Sequence, residues 1–302
     1  MKIAVVGAGA VGAFYGAKLQ KAGLEVQYQS QALSKSKKLN IKSIWGDFTI
    51  PIQAFANTKD MNVADVIIIA TKVTNPPEDT KNLIQLLQPL LHPKTIVLLL
   101  QNGINMEERI FKYIKNPILG GLAFTCINRI KPNLIHHLDY GLVKIGALKK
   151  EQSQLAREMV KLFEKSGIET TYAPDLRQAR YEKLLWNVPF NSLSVLCFTD
   201  TQKLINNLET KDLAKKLMQE TQKIAVYERK KITNKMIQEM INKTENMQPY
   251  KTSMLLDFEA KKKMEVESIL GELLRMGQKY KISTPYLETI YKILSFYNSR
   301  LN

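Results

Sequence analysis

Three polar side chains at four-residue intervals are the first candidates for chemistry in this sequence. Lys183, Asn187 and Asn191 lie in a segment that is otherwise rich in leucine, tryptophan and phenylalanine. Residues four apart share one face of a helix, so the spacing puts one amine and two amides in a single stripe. Burial of these groups costs free energy unless they find partners, which indicates a polar cavity in front of the stripe. Alternatively, the lysine is exposed and the two asparagines cap neighbouring helices.

A glycine pattern at the N-terminus is the second candidate. Gly7, Gly9 and Gly12 fall on G-x-G-x-x-G, directly after the apolar run 3–6 and just before helical spacing begins. In such a turn the first glycine allows the sharp bend, the second lets a pyrophosphate approach the backbone, and the third lets helix and strand pack closely. The phosphates would lie on the helix N-terminus. The predicted dinucleotide-binding residues are Gly7, Ala8, Gly9, Ala10, Val11 and Gly12.

The end of the second predicted strand indicates which dinucleotide binds. An acidic residue there would accept hydrogen bonds from the ribose hydroxyls of NAD. The chain has none: the segment around Gln31 contains serines, and Lys37 and Lys38 follow. This composition favours the 2′-phosphate of NADP(H), although a polar loop with incidental lysines would look the same.

Two further polar residues follow buried strands. Lys72 comes directly after the apolar strand 66–71, and Asn102 follows the strand 95–100. Open α/β sheets bind ligands at the carboxyl ends of their strands, which places both side chains at a binding edge. Asn-Gly is also a common turn, and a turn alone would explain Asn102.

The elements that must position these residues change character near Pro174. Strands and helices alternate before it, and helical periodicity with almost no β signal follows it. We therefore predict an α/β fold, in which an N-terminal doubly wound Rossmann-type domain (1–173) precedes an all-helical C-terminal domain (174–302). The helices expected in the second domain are 175–196, 212–231, 234–242, 264–279 and 285–300, the last with Thr284 as N-cap and Pro285 at its first position.

Length and composition predict a cytoplasmic protein. The chain has 302 residues, of which 45% are hydrophobic, enough for one large or two medium cores. It contains no apolar run of membrane-spanning length and no signal-peptide pattern, so neither a membrane nor a secreted location is expected. Cys126 and Cys197 lack the spacing of a disulfide framework or a zinc site, and no metal is predicted.

The formal net charge of +16 raises the question of a nucleic-acid partner. Only eight of the 44 basic residues are arginine. Because arginine is the preferred residue for bidentate phosphate and base contacts, a lysine-dominated surface argues against nucleic-acid binding. The positive field would help to collect small anionic substrates.

Taken in order, these motifs resemble those of the ketopantoate reductases (2-dehydropantoate 2-reductases), within the wider 6-phosphogluconate-dehydrogenase-like group. The resemblance covers essentially the whole chain. It rests on the glycine loop, Lys72, Asn102-Gly, Lys183-x3-Asn187-x3-Asn191, Ser253 followed by Met-Leu-x-Asp, and Glu265-Val-Glu-x-x-x-Gly271.

The resemblance implies NADPH-dependent reduction of 2-dehydropantoate to pantoate, a step of pantothenate and coenzyme A biosynthesis, in a monomer or homodimer. Lys183 would be the general acid. The implied substrate-binding residues are Asn102, Lys183, Asn187, Asn191 and Ser253. The implied residues on the cofactor side, besides the glycine loop, are Gln31, Lys72, Asn102, Cys126 and Glu265.

One residue departs from the family pattern. The family usually carries arginine after the second strand to hold the 2′-phosphate, and this chain has Gln31 there. NADPH remains the expected cofactor, with a weaker preference or one supplied by Lys72 and nearby serines. Two alternatives remain open: a related reductase of another 2-keto or 3-hydroxy acid, and a non-enzymatic protein that senses NADP(H).

Overall fold

The glycine pattern lies in a ten-stranded mixed sheet built by the N-terminal part of the chain. The computed structural model describes residues 1–301. The described strands are β1 (Lys2–Val6), β2 (Glu25–Gln29), β3 (Lys38–Ser43), β4 (Phe48–Pro51), β5 (Gln53–Phe55), β6 (Val66–Ile69), β7 (Ile96–Leu99), β8 (Ile118–Lys131), β9 (Leu134–Ala147) and β10 (Thr170–Tyr172).

The strand order is β4-β3-β9-β8-β7-β6-β1-β2-β5, with β10 paired to β9. From β5 to β8 every neighbouring pair is parallel. All four residues of β6 are buried, as expected for a parallel strand that is covered on both faces. β1 lies between β2 and β6, so its carboxyl end leads into the glycine loop from the middle of the parallel region. The predicted Rossmann-type sheet is confirmed.

The helices follow the predicted change in character near residue 174. Those of the first half are α1 (Ala10–Lys21), α2 (Pro76–Leu87), α3 (Met106–Phe111) and α4 (Ser153–Lys165). Those that follow are α5 (Leu176–Leu196), α6 (Thr201–Asn206), α7 (Leu208–Tyr227), α8 (Asn234–Glu245), α9 (Ser253–Glu259), a π-helical turn (Glu267–Gly271), α10 (Glu272–Tyr280) and α11 (Pro285–Ser299). Among residues 1–301, no helix has both the length and the apolar character needed to cross a membrane.

The residues divide into two units, each with its own hydrophobic core. The first unit comprises 1–72, 77–101 and 105–176, and it contains the whole sheet. The second unit comprises the chain from 177 onward together with two short segments, 73–76 and 102–104. The domain boundary expected between residues 173 and 174 stays a prediction.

Several predicted element ends were wrong. β8 and β9 have 14 residues each and pair antiparallel, although the apolar pattern of the sequence indicates strands only over 118–126 and 142–145. Near the hairpin tip polar and basic side chains interrupt the apolar ones, so the continuous apolar run typical of a buried strand is absent there. The predicted helix 212–231 begins and ends four residues earlier, as α7, and the seven-residue helix α9 was not predicted.

The start of α11 shows a cap that the sequence did not reveal. Pro285 is its first residue and Thr284 its N-cap, as predicted, but the Thr284 side chain makes no capping hydrogen bond. The carboxylate of Glu220 on α7 accepts hydrogen bonds from the backbone N–H groups of Tyr286 at 3.1 Å and Leu287 at 2.8 Å. A buried glutamate from another helix thus replaces the local cap.

Candidate active site

The stripe of Lys183, Asn187 and Asn191 lies on α5 and is buried. The three residues are 8%, 5% and 2% exposed, so the alternative of an exposed lysine is wrong. α5 continues from Leu176 to Leu196 through Pro189, which cannot donate a backbone hydrogen bond within the helix. The stripe therefore presents an amine and two amides to the interior of the second unit.

The Lys183 amine begins a chain of hydrogen bonds. Its Nζ donates to Oδ1 of Asn102 at 2.8 Å, and Nδ2 of Asn102 donates to Oε2 of Glu265 at 3.1 Å. The other carboxylate oxygen of Glu265 accepts from the backbone N–H of Val73 at 3.2 Å. Because an ammonium only donates and a carboxylate only accepts, these contacts fix which way the Asn102 amide points. Three residues far apart in sequence thus form one connected group.

The surroundings of Lys183 make its amine unusually acidic. Burial is the largest cause, and the positive charge of Arg180, one helical turn away, adds to it. The negative charge of Glu265 acts in the opposite direction. Together they lower the Lys183 pKa to about 7. An amine with this pKa exchanges its proton readily near neutral pH.

Asn191 carries a buried acceptor that is not satisfied by protein atoms. Within residues 1–301, its Oδ1 has no hydrogen-bond partner. Leaving such an atom unpaired costs about 1–3 kcal/mol, so a donor supplied by a ligand would recover that free energy. Asn187 lies one helical turn before it on the same face of α5.

Ser253 differs from the other predicted substrate residues because it is exposed, as the first residue of α9. The residue before it, Thr252, is the N-cap of α9 and accepts from the backbone N–H of Leu255 at 3.3 Å. The Thr252 hydroxyl also bonds that of Ser194 on α5 at 2.6 Å. This contact holds the start of α9, and with it Ser253, close to the helix that carries the stripe.

The glycine loop in the first unit has the backbone geometry that its sequence predicts. Gly7 has φ +75°, and a Cβ there would lie 2.6 Å from the backbone nitrogen of Thr71, so only glycine fits. The N–H of Gly7 donates to Oε1 of Gln29 at 3.0 Å, and the N–H of Ala8 donates to the Gln29 carbonyl at 2.9 Å. The end of β2 thus holds the loop through both its side chain and its backbone.

The start of α1 is suited to an anion. Gly9 is its N-cap, no side chain caps the helix, and its first turn contains no acidic residue. A Cβ at Gly9 would approach nothing closer than the Gly7 carbonyl oxygen at 3.7 Å, so the space in front of the loop is open. Unfilled backbone N–H groups and the helix dipole would both stabilise a pyrophosphate there. The residues present therefore fit a dinucleotide.

Three of the other residues predicted on the cofactor side also lie in the first unit. Gln31 is exposed in the turn after β2, Lys72 is exposed after β6, and Cys126 is buried on β8. Glu265 lies in the second unit, in the group with Asn102 and Lys183. Among residues 1–301, no group of three or more histidine, cysteine, aspartate or glutamate residues could hold a metal ion.

Sequence reasoning missed two residues that support the glycine loop. Arg129 on β8 donates a hydrogen bond to the carbonyl of Ala8, and Gln29 accepts from Gly7. Partial burial lowers the pKa of the Arg129 guanidinium. Neither residue belongs to a recognisable motif: one is a lone arginine in a polar hairpin, and the other ends an ordinary strand.

Comparison with known proteins places the chain in a family. Residues 3–150 match the family described as Ketopantoate reductase PanE/ApbA, and residues 175–298 match Ketopantoate reductase PanE/ApbA C terminal. A relative named 2-dehydropantoate 2-reductase, from Nostoc sp., is 35% identical over 311 residues, covering 99% of this chain and 96% of the relative. The chain belongs to the ketopantoate reductase family. The resemblance predicted from the ordered motifs is therefore confirmed.

Solved structures show the same architecture as this ketopantoate reductase family member. The crystal structure of 2-dehydropantoate 2-reductase from Geobacter metallireducens GS-15 matches it with a TM-score of 0.93 at 29% identity, covering 98% of this chain and 99% of that one. A ternary structure of D-mandelate dehydrogenase with NADH and anilino(oxo)acetate matches with a TM-score of 0.89 at 22% identity, covering 99% of each chain. At that identity the second match shows a shared fold only.

Proposed function

We propose that this protein reduces 2-dehydropantoate to pantoate with NADPH, as a step of pantothenate and coenzyme A biosynthesis. Its family membership supports a reductase that uses a nicotinamide cofactor. The observation that carries the proposal is the buried Lys183 amine, whose pKa is lowered to about 7 and which is hydrogen-bonded to Asn102. Such a group is suited to donating a proton to an oxygen near neutral pH.

In the proposed mechanism Lys183 acts on the oxygen of the 2-keto group. A nicotinamide cofactor held by the glycine loop and the backbone near Cys126 would supply a hydride to the carbonyl carbon, so that negative charge would develop on the oxygen. The Lys183 ammonium stabilises that charge, donates its proton to the oxygen and is left as a neutral amine. Asn102 accepts from the amine and thereby orients it. Glu265 fixes the Asn102 amide in turn.

The two asparagines of the stripe would bind the substrate's hydroxyl end. The buried Oδ1 of Asn191 needs a donor, and the hydroxyl of 2-dehydropantoate can supply one. Asn187, on the same buried face, would bind the hydroxyl from a neighbouring position. Ser253, exposed at the first turn of α9, would donate to the substrate carboxylate. Loss of either asparagine should therefore mainly raise KM.

NADPH is proposed over NADH for reasons found in the first unit. The open glycine loop and the uncapped start of α1 fit a pyrophosphate, with Arg129 holding the loop from β8. No carboxylate follows β2 to bind the ribose hydroxyls of NAD, and Gln31 stands in the turn there. We assign Lys72 to the 2′-phosphate and the backbone near Cys126 to the nicotinamide. Glu265 would serve the cofactor side in addition to Asn102.

The test compares Lys183→Met with Lys235→Met in the oxidation of NADPH by ketopantoate. Lys235 lies on α8 and its side chain is 85% exposed, so its loss should leave the rate unchanged. Removing a general acid should lower kcat by about 10² to 10⁴-fold. NADPH binding, measured by the fluorescence of the reduced nicotinamide, should persist in both variants. A Lys183→Met enzyme with the wild-type rate would refute the catalytic assignment.

A second candidate is a reductase of a different 2-keto acid. The shared fold with D-mandelate dehydrogenase favours this candidate, because the same architecture occurs in a dehydrogenase of another name. A panel of 2-keto acids, ranked by kcat/KM with NADPH and with NADH, decides between the two. Ketopantoate should rank first. Tight NADPH binding without oxidation by any member of the panel would favour a non-enzymatic sensor instead.

A further inference from the structure

The π-helical turn Glu267–Gly271 lies two residues after Glu265 and makes a backbone contact with a distant segment. π-helical turns are rare and are frequent at functional sites. The carbonyl of Ser268, inside this turn, accepts a hydrogen bond from the backbone N–H of Ile104 at 3.3 Å. The segment 102–104, which supplies Asn102, is therefore attached to the π turn by its backbone.

Gly103 makes this attachment possible. Its φ is +94°, and a Cβ there would lie 2.8 Å from both the carbonyl carbon and the Cβ of Ser268, and closer still to the carbonyl oxygen. Such a contact exists only without a side chain, so Gly103 is pressed directly against the backbone of the π turn. Real Cβ atoms essentially never approach other atoms this closely, so any larger residue must move one of the two segments.

The two attachments of this segment fix the position of Asn102 beside Lys183. Asn102 bonds the side chain of Glu265, and Ile104 bonds the carbonyl of Ser268, three residues further along the chain. Gly103 lies between them. With both ends held, Oδ1 of Asn102 is fixed 2.8 Å from the Lys183 amine. A shift of the segment by a few tenths of an ångström would lengthen that bond directly.

We infer that Gly103 and the Ser268 carbonyl of the π turn are positioning groups for the reaction, because their contact sets the place of Asn102 and thereby that of the Lys183 amine. The inference rests on the proposed function of Lys183. An amide oxygen that accepts from an ammonium stabilises the charged amine. Burial and Arg180 disfavour that charge and Glu265 favours it, so losing the Asn102 contact would lower the Lys183 pKa further.

The test is Gly103→Ala, with Gly46→Ala as the matched control. Gly46 has φ +97°, nearly the same backbone conformation, but no atom lies within 4 Å of a Cβ placed there. Both variants carry the strain of alanine at positive φ, and only one displaces the π turn. We expect Gly103→Ala to lower kcat about 10- to 100-fold, with KM for ketopantoate changed far less. The fall of kcat/KM at high pH should move to lower pH. Gly46→Ala should match the wild type.

Ser268→Gly is a milder second variant, which keeps Gly103 and makes the π turn more mobile. It should shift kcat and the pH profile in the same direction by a smaller factor. Wild-type kinetics in Gly103→Ala would overturn the inference while leaving the proposed function intact. A Gly103→Ala protein that is unfolded, combined with unchanged kinetics in Ser268→Gly, would also overturn it. A wild-type protein inactive with ketopantoate would instead defeat the proposed function.

Discussion

Lys183 has to carry a proton in a place that disfavours positive charge. Burial and Arg180 both lower the pKa of its amine, while the Glu265 carboxylate acts against them. Asn102 accepts a hydrogen bond from the amine, which orients the amine and favours its charged form without adding a charge. A proton that is held neither tightly nor loosely can be given up within a catalytic cycle.

The first prediction concerns this balance. The proposed acid must be protonated, so kcat/KM for ketopantoate should fall above a pKa of about 7, tenfold per further pH unit. Rates measured from about pH 6 to about pH 10 check this. Lys183→Arg is the control, because a guanidinium keeps its charge but cannot give up its proton, and its low activity should not show that fall. A fall that begins only near the pKa of an ordinary lysine would contradict the prediction.

At the scale of residues, the sequence indicated which residue types form the site but not the hydrogen bonds that join them. The four-residue spacing identified Lys183, since Asn187 and Asn191 lie close to it in the sequence, on the same helix. The hydrogen bonds to Asn102 and onward to Glu265 join positions 81 and 163 residues apart, which no local pattern can predict. The support of the glycine loop by Arg129 is equally nonlocal. The functional roles of these residues remain proposals.

At the scale of elements, α5 is held at its start by a single carboxylate. Glu228, at the end of α7, accepts from Nε of Arg177 at 2.8 Å, from the Tyr181 hydroxyl at 2.8 Å and from the Tyr280 hydroxyl at 2.6 Å. Arg177 and Tyr181 lie on α5, and Tyr280 ends α10. Three helices therefore meet at one residue, a short distance along α5 from Lys183.

The second prediction is that Glu228→Gln destabilises the protein by about 2–4 kcal/mol, because it removes the carboxylate charge that the half-buried Arg177 guanidinium pairs with. Urea unfolding of the whole protein, followed by circular dichroism, measures this change in unfolding free energy. Glu239→Gln is the control: Glu239 is 62% exposed and pairs with Lys235 at 3.8 Å, so its loss should cost less than about 0.5 kcal/mol. Equal effects of the two substitutions would refute the role of Glu228.

The pH dependence of stability gives an independent check of the same cluster. Burial alone would raise the pKa of Glu228, but its hydrogen bonds from Arg177, Tyr280 and Tyr181 outweigh burial and lower it below the ordinary value. A carboxyl whose folded pKa is depressed stabilises the fold above its unfolded pKa and loses that contribution as the pH falls through the folded value. The difference in unfolding free energy between the wild type and Glu228→Gln should therefore become smaller as the pH falls.

Elements with a strong local signal were predictable, and those defined by pairing were not. The buried parallel strands β1, β6 and β7 appear in the sequence as apolar runs next to turns. The outer half of the β8–β9 hairpin is formed by backbone pairing between strands of mixed apolar and polar residues, and α9 is shorter than two helical turns. Neither leaves a periodic pattern long enough to recognise.

At the scale of the whole molecule, the chain carries a large positive net charge. The chain carries 44 lysine and arginine residues against 28 aspartate and glutamate residues. Both proposed ligands are anions, so the positive field should accelerate their association without affecting the chemical step. Whether the protein acts as a monomer or a homodimer stays a prediction.

The third prediction is that salt slows the association of NADPH with the protein but not the chemical step. Raising the salt concentration from about 20 to about 300 mM shortens the Debye length and should lower kcat/KM for NADPH several-fold. The value of kcat at saturation should stay nearly constant. Sucrose at matched osmolality serves as the control, since it leaves the charges unscreened. A kcat/KM that is insensitive to salt would show that the surplus lysines do not steer the cofactor.

The second unit is assembled from three separate pieces of chain, and this limits how the gene could recombine. Asn102 reaches it from between β7 and α3, whereas Lys183 and Glu265 come from the C-terminal portion. A chimera that joins two homologous parents near residue 176 would combine one parent's asparagine loop with the other's amine and π turn. A crossover upstream of residue 73 would take Asn102, Lys183 and Glu265 from one parent. Active chimeras are therefore expected to take segment 73–104 from the same parent as the C-terminal portion.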